Sequence, residues 1–73
     1  MRIIKAGTRV VYEHEDGGFN ALALSKPEGE DQTISVVFVN PSDGDVITVS
    51  NVPNVQFAKD NEGRSLPFGH WRQ

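Results

Sequence analysis

The two histidines are the residues of this sequence best suited to proton transfer or metal binding near neutral pH. His14 stands in Glu-His-Glu-Asp, residues 13–16, among three carboxylates. Successive side chains of a strand point to opposite faces, so Glu13 and Glu15 would face away from His14. This spacing does not converge on one metal ion or substrate. The favoured interpretation is a solvated hairpin end that keeps a sheet edge soluble.

The second histidine, His70, precedes the only tryptophan, Trp71, near the end of the chain. A His–Trp pair could form a shelf for a ligand, or stack on a base or a sugar. A packed tryptophan with an exposed neighbour is the more ordinary arrangement, because aromatic residues at the ends of elements mostly pack. We therefore keep both residues as candidate contacts, and we expect no catalytic role for either.

Two acidic loops offer oxygen atoms of the kind that calcium binds. They are residues 28–31, Glu-Gly-Glu-Asp, and residues 40–45, which contain Asp43 and Asp45. Neither loop has the calcium-loop spacing that ends in a bidentate glutamate. The sequence also has no cysteine, no phosphate-binding loop, no nucleophile elbow and no histidine pair at ligand spacing. It predicts a protein that is not an enzyme and that has no catalytic residues, metal ion or other cofactor.

Length and charge limit the function further. Seventy-three residues allow one domain with a small core, so self-association is the most available additional support. The net charge of −3 argues against binding led by phosphate contacts, which would favour a nucleic acid. No segment is long and apolar enough for a signal peptide or a membrane span. We expect a soluble, cytoplasmic protein with no membrane contact.

Short β-branched runs between glycine and proline residues predict strands, and their spacing suggests a sandwich or a small barrel. The predicted strands are residues 8–14, 19–25, 32–40 and 46–50, with a short fifth strand or edge at 55–58. Turns are predicted at 15–18 and 41–45 from their Asp-Gly and Gly-Gly pairs. One domain would span residues 1–73, with a leader at 1–6, a long loop at 59–69 and a closing segment at 70–73.

The central strands are apolar on both faces, whereas a sheet with one wet face should alternate. One face would fill the barrel, and the other would need cover from the terminal segments or from a second subunit. We predict that Leu66, Phe68 and Trp71 fold back over this second face or over the open end of the barrel.

Several motifs occur together in this order: Gly-Thr-Arg-Val-Val-Tyr from Gly7, Ser-Val-Val-Phe-Val-Asn-Pro-Ser-Asp-Gly from Ser35, Asn-Val-Pro-Asn from Asn51, and Gly-His-Trp from Gly69. This combination resembles short uncharacterised proteins encoded by phages, prophages and mobile gene (integron) cassettes. The resemblance covers nearly the whole chain. It implies an all-β fold, a small SH3-like five-stranded antiparallel barrel, and an origin in a mobile element.

Residues 54–58 are also similar to a strand of the plasmid-borne type II dihydrofolate reductases, which are SH3-like barrels. Those enzymes form one active pore at the centre of a tetramer, where a Val-Gln-Ile-Tyr strand faces the ligands. Val55, Gln56 and Phe57 follow this pattern, and Ala58 stands where the family has tyrosine. The similarity indicates how a chain without catalytic residues could build a site by symmetry.

The sequence therefore favours a non-enzymatic binding or assembly module that forms a homo-oligomer, a dimer or a tetramer, or docks on a protein partner. One alternative is a small barrel that binds nucleic acid. The other is an oligomeric small-ligand binder or enzyme with a symmetric pore. The candidate contact residues are Tyr12, Phe19, Gln56, Phe57, His70 and Trp71.

Overall fold

The computed structural model describes residues 4–73 of the chain. Its strands are β1 (Arg9–His14), β2 (Gly17–Ala23), β3 (Ile34–Val39), β4 (Val46–Val52) and β5 (His70–Arg72). They form one antiparallel sheet in the order β4-β3-β2-β1-β5, curled into a half-barrel. The predicted all-β fold, a small SH3-like five-stranded antiparallel barrel, is confirmed. No helix in residues 4–73 has the length and apolar character needed to cross a membrane.

The turn between β1 and β2 is shorter than predicted. His14 pairs with Gly17, so Glu15 and Asp16 alone form the loop and both glycines belong to β2. Gly17 has a φ of 129°, a conformation that L side chains rarely adopt. The Gly-Gly pair therefore serves the start of the strand rather than the turn.

The acidic residues of the β3–β4 loop are used by the turn itself. The Asn40 side chain accepts the amide N–H of Ser42 at 2.9 Å, and the Asp43 carboxylate accepts that of Asp45 at 2.9 Å. Gly44 has a φ of 78°. These are the local bonds by which asparagine and aspartate close turns.

Strand β4 extends two residues past its predicted end. Its register with β3 shifts between Val36 and Ile34, which pair with Val49 and Val52. Asn51, inside this shift, has a φ of 57°. The extra residue on β4 forms a β-bulge. The predicted end of the strand lay just before it, at residue 50.

The predicted fifth strand at 55–58 is wrong. Residues Val55–Phe57 form a 3-10 helix, and the Asn54 side chain accepts the amide N–H of Gln56 at its start. A capping asparagine favours a helical turn over a continued strand, because it satisfies a free amide there. The fifth strand of the sheet is instead the closing segment, His70–Arg72.

The long loop at 59–69 is irregular, as predicted, and is organised around Asp60. Its carboxylate accepts the amide N–H groups of Glu62 and Arg64. These bonds, with a contribution from the Arg64 side chain, lower the pKa of Asp60 below 3.8. Lys59 and Ser65 also form an isolated bridge across the loop.

Trp71 occupies the core rather than the second face of the sheet. It pairs with Tyr12, is 3% exposed, and its indole N–H donates to the carbonyl of Gln32 at 2.9 Å. Leu66 and Phe68 remain exposed. Of the two predicted positions for these residues, cover of the second apolar face is wrong, because Val39 and Val46 stay exposed there. Cover of the open end of the barrel stays a prediction.

Strand β5 also contacts the backbone segment that follows β4. The amide of Trp71 donates to the carbonyl of Pro53 at 3.0 Å, and Asn54 forms a parallel bridge with Trp71. At the other end of the chain, Ile4 is buried in the core. The predicted leader is therefore partly packed; its residues 1–3 lie outside the described part of the chain.

Candidate docking face

The outward face of β2, β3 and β4 is apolar and exposed. In β3, Ile34, Val36 and Phe38 point to the core, so the alternate residues Val37 and Val39 point outward. Leu22 of β2 lies opposite Val37, and Val46 of β4 lies opposite Val39. Val39 is 57% and Val46 is 70% exposed. We call this surface, Leu22, Val37, Val39 and Val46, the outer apolar face.

The outer apolar face contains a cleft where β2 and β3 separate. The two strands pair only at Leu22–Val37 and Ala23–Val36, although both continue beyond these positions. The cleft has a volume of about 690 Å³ and is open to solvent. It is lined by Arg9, Gly18, Phe19, Asn20, Ala21, Leu22, Val37, Phe38, Val39 and Pro41.

Beneath the cleft, two aromatic rings replace the missing strand contacts. Phe19 and Phe38 stack with ring centroids 5.4 Å apart and planes 22° from parallel. The stacked pair fills the core where the strands diverge, and its burial stabilises the separation. The floor of the cleft is thus formed by packed side chains, the stacked rings of Phe19 and Phe38.

His14 belongs to this aromatic cluster, which sequence reasoning missed. Its ring centroid lies 5.5 Å from that of Phe19 and 6.1 Å from that of Tyr12. Its Nδ1 accepts the amide N–H of Asp16 at 3.1 Å, so a neutral ring carries its proton on Nε2. The interpretation as a solvated end is corrected: His14 is half-buried. The sequence did contain an indication of this burial, because every second residue of a strand points to the same face and His14 therefore shares a face with Val10 and Tyr12.

The β1–β5 side of the sheet carries charge on its outward face. Arg72 Nε donates to a carboxylate oxygen of Glu13 at 2.8 Å. Both side chains are partly exposed, so this ion pair adds little to stability, but it places charge on this half of the sheet. The outer apolar face is therefore confined to the other half of the sheet.

The structure separates the predicted contact residues other than His70 into three groups. Phe19 lines the cleft, half-buried. Tyr12 and Trp71 are buried in the core, where their packing holds β1 against β5. Gln56 and Phe57 are exposed on the 3-10 helix and line no part of the cleft. Among these residues, only Phe19 therefore lies at the cleft, and it does so from the inward side of β2.

The expectation that His70 is the exposed neighbour of a packed Trp71 is wrong, because His70 is buried on the β1–β5 side of the sheet. It pairs with Glu13 in the β1–β5 register and is 7% exposed. Its Nδ1 has no hydrogen-bond partner within residues 4–73. No group of three or more metal-ligating side chains occurs in the same range. His70 thus occupies an isolated, closely packed position.

Comparison of the chain with protein-family models, with curated proteins and with solved structures finds no match in any of the three. The arguments on function below use the geometry of the site itself.

Proposed function

We propose that this protein is a non-enzymatic binding or assembly module that docks through its outer apolar face. One observation carries the proposal: strands β3 and β4 contain no charged residue, and their outward side chains include Val39 and Val46, both exposed. Contiguous apolar surface on a small domain is typical of an interaction site. Association would remove it from water, at about 25 cal/mol per Å² of apolar area.

The distribution of charge supports the same surface. The chain has seventeen charged residues, 7 basic and 10 acidic, and all of them lie outside β3 and β4. Cores of interfaces are depleted in charged residues in the same way. Arg9, in the cleft lining, supplies a positive charge at the rim, where it could orient a partner.

From the resemblance of its sequence motifs, we also propose that the protein originates from a phage, a prophage or a gene cassette. A small module with an apolar docking face suits assembly with copies of itself or with a protein of the same element. The neighbouring genes test this point. Capsid or tail genes beside it would favour an assembly role, and neighbours unrelated to any mobile element would contradict the proposed origin.

The docking face is tested with an apolar dye, 8-anilinonaphthalene-1-sulfonate, added to the folded protein. The Leu22→Lys, Val39→Lys double variant should lose most of the fluorescence enhancement, because both side chains belong to the face. The matched control is Leu66→Lys, Phe68→Lys, which changes two exposed apolar residues of the long loop. The control should keep the enhancement. An equal loss in both variants, or no dye binding by the wild type, would contradict the proposal.

A gel shift at about 50 mM salt separates this function from nucleic-acid binding, since electrostatic affinity is greatest at low salt. We expect no shift with single- or double-stranded DNA or RNA, because the chain has a net charge of −3. A shift that disappears at higher salt would favour the nucleic-acid alternative instead.

A further inference from the structure

The free edge of β4 adjoins the outer apolar face and lacks the usual protection of a sheet edge. β4 is the terminal strand of the sheet, and within residues 4–73 it pairs with β3 alone. Its first five residues, 46–50, read Val-Ile-Thr-Val-Ser. They contain no lysine, proline or other residue that blocks edge pairing. Such a β-branched, uncharged edge is a template for another strand.

The register of β3 and β4 fixes which backbone groups are free. The amide of Asn40 donates to the carbonyl of Asp45 at 2.8 Å, so Asn40 and Asp45 are a hydrogen-bonded pair. Bonded and non-bonded pairs alternate along an antiparallel ladder. Ile47 and Val49 therefore bond to β3. The N–H and C=O groups of Val46, Thr48 and Ser50 point away from it.

This pattern of free groups is complementary to itself. When two copies of β4 run antiparallel with Thr48 opposite Thr48, Val46 lies opposite Ser50 at both ends. All three free positions then exchange hydrogen bonds with the partner strand. A shift of the register in either direction leaves at least one of them unpaired. The β-bulge at Asn51 marks where the regular edge ends.

Charge selects the same antiparallel arrangement. Asp45 stands directly before β4 and would lie opposite Asn51 of a second copy, a neutral residue. In a parallel pair, each Asp45 would lie opposite another Asp45, and like charges directly opposed are destabilising. In the antiparallel pair, by contrast, the acidic loops of the two copies, each containing Asp43 and Asp45, lie at opposite ends of the joined strands and stay far apart.

We infer that two copies of this protein pair through β4, antiparallel and centred on Thr48, to form one continuous sheet. The two-fold axis is perpendicular to the sheet, so both outer apolar faces lie on the same side and become one surface. This inference rests on the proposed function: a second copy of the chain pairs at the β4 edge, and the joined outer apolar face stays open for a further protein partner.

The test uses opposite charges at the symmetry axis. Thr48 is exposed on the outward face, so Thr48→Lys and Thr48→Glu can fold as monomers. Each variant alone should be monomeric by light scattering at concentrations where the wild type is a dimer, because two like charges meet at the axis. An equimolar mixture should recover the dimer mass. Asn20→Lys, which adds the same charge on the same face away from the edge, should remain dimeric.

The outcomes are separable from those of the dye experiment. A monomeric wild type at about 1 mM, or a Thr48→Lys variant that stays dimeric, overturns the β4 pairing. If the face variant still loses dye binding in either case, the docking face stands and only the pairing at β4 is wrong. Amide exchange gives a second readout: protection at Val46, Thr48 and Ser50 should rise with concentration, and unchanged protection in a dimer would place the interface elsewhere.

Discussion

The two edges of this sheet are built in opposite ways. Strand β5 has three residues, ends in Arg72, and meets the backbone after β4 at Pro53. Strand β4 has seven residues, carries no charge, and in the described structure pairs with no strand other than β3, so the outer side of its first five residues is free. A short, charged edge resists pairing with another chain, and a long, uncharged one invites it. The comparison shows that only the β5 edge of this small domain is protected against pairing with another chain.

The edge formed by β5 is held in place by Trp71, which packs in the core and bonds to the Gln32 carbonyl. We expect Trp71→Ala to reduce the free energy of unfolding by about 3–5 kcal/mol, because it leaves a cavity in the core. Trp71→Phe should cost less, since it keeps an aromatic ring but loses the bond to the Gln32 carbonyl. Urea unfolding followed by circular dichroism measures both. A loss below about 1 kcal/mol for the alanine variant would show that β5 does not close the sheet.

Proline substitution compares the inside of the sheet with its open edge. Val37 and Thr48 lie opposite each other, and both point outward. The amide of Val37 bonds to β2, so Val37→Pro should cost about 3 kcal/mol or more. The amide of Thr48 points away from β3, so Thr48→Pro should cost clearly less in the same measurement. Equal losses would contradict the assignment of free groups along β4.

Polar substitutions on the outer apolar face should separate stability from dye binding. Val39→Thr and Val46→Thr keep a β-branched side chain at exposed positions, so the free energy of unfolding of the monomer should change by about 0.5 kcal/mol or less. The dye fluorescence should fall more visibly, whereas the dimer mass should stay unchanged, because β4 pairs through its backbone. A large loss of stability without a change in dye binding would mean that the face packs against something within the chain.

The smallest effect concerns the loop that leads to the β5 edge. The folded state lowers the pKa of Asp60, so its carboxylate stabilises the fold above pH 3.8, and this contribution is lost as pH falls below that value. Asp60→Asn should therefore lower the melting temperature slightly at pH 6 and hardly at all near pH 2. A difference that stays constant with pH would assign the effect to the turn bonds and not to the charge.

The candidate site was only partly accessible to sequence reasoning. Alternation identified two apolar faces in β3 and β4, because the period of a strand is two wherever it lies in a sheet. The expectation that Leu66, Phe68 and Trp71 could cover the second face failed, since their positions depend on where the loop at 59–69 runs. The interpretation of His14 failed for a related reason: its carboxylate neighbours drew attention, whereas its strand parity with Tyr12 decided its surroundings.

Local sequence determined the strands, the turns and the fold class. β-branched runs and turn residues act over a few neighbours, so β1, β3 and the closing segment at His70–Arg72 were expected close to their observed places. The tertiary structure alone decided that Trp71 pairs with Tyr12 and donates to the Gln32 carbonyl, that β2 and β3 separate over a pair of stacked rings, and that β4 has a free edge. These features join residues far apart in the chain, and their energies come from packing and strand order, which no local pattern contains.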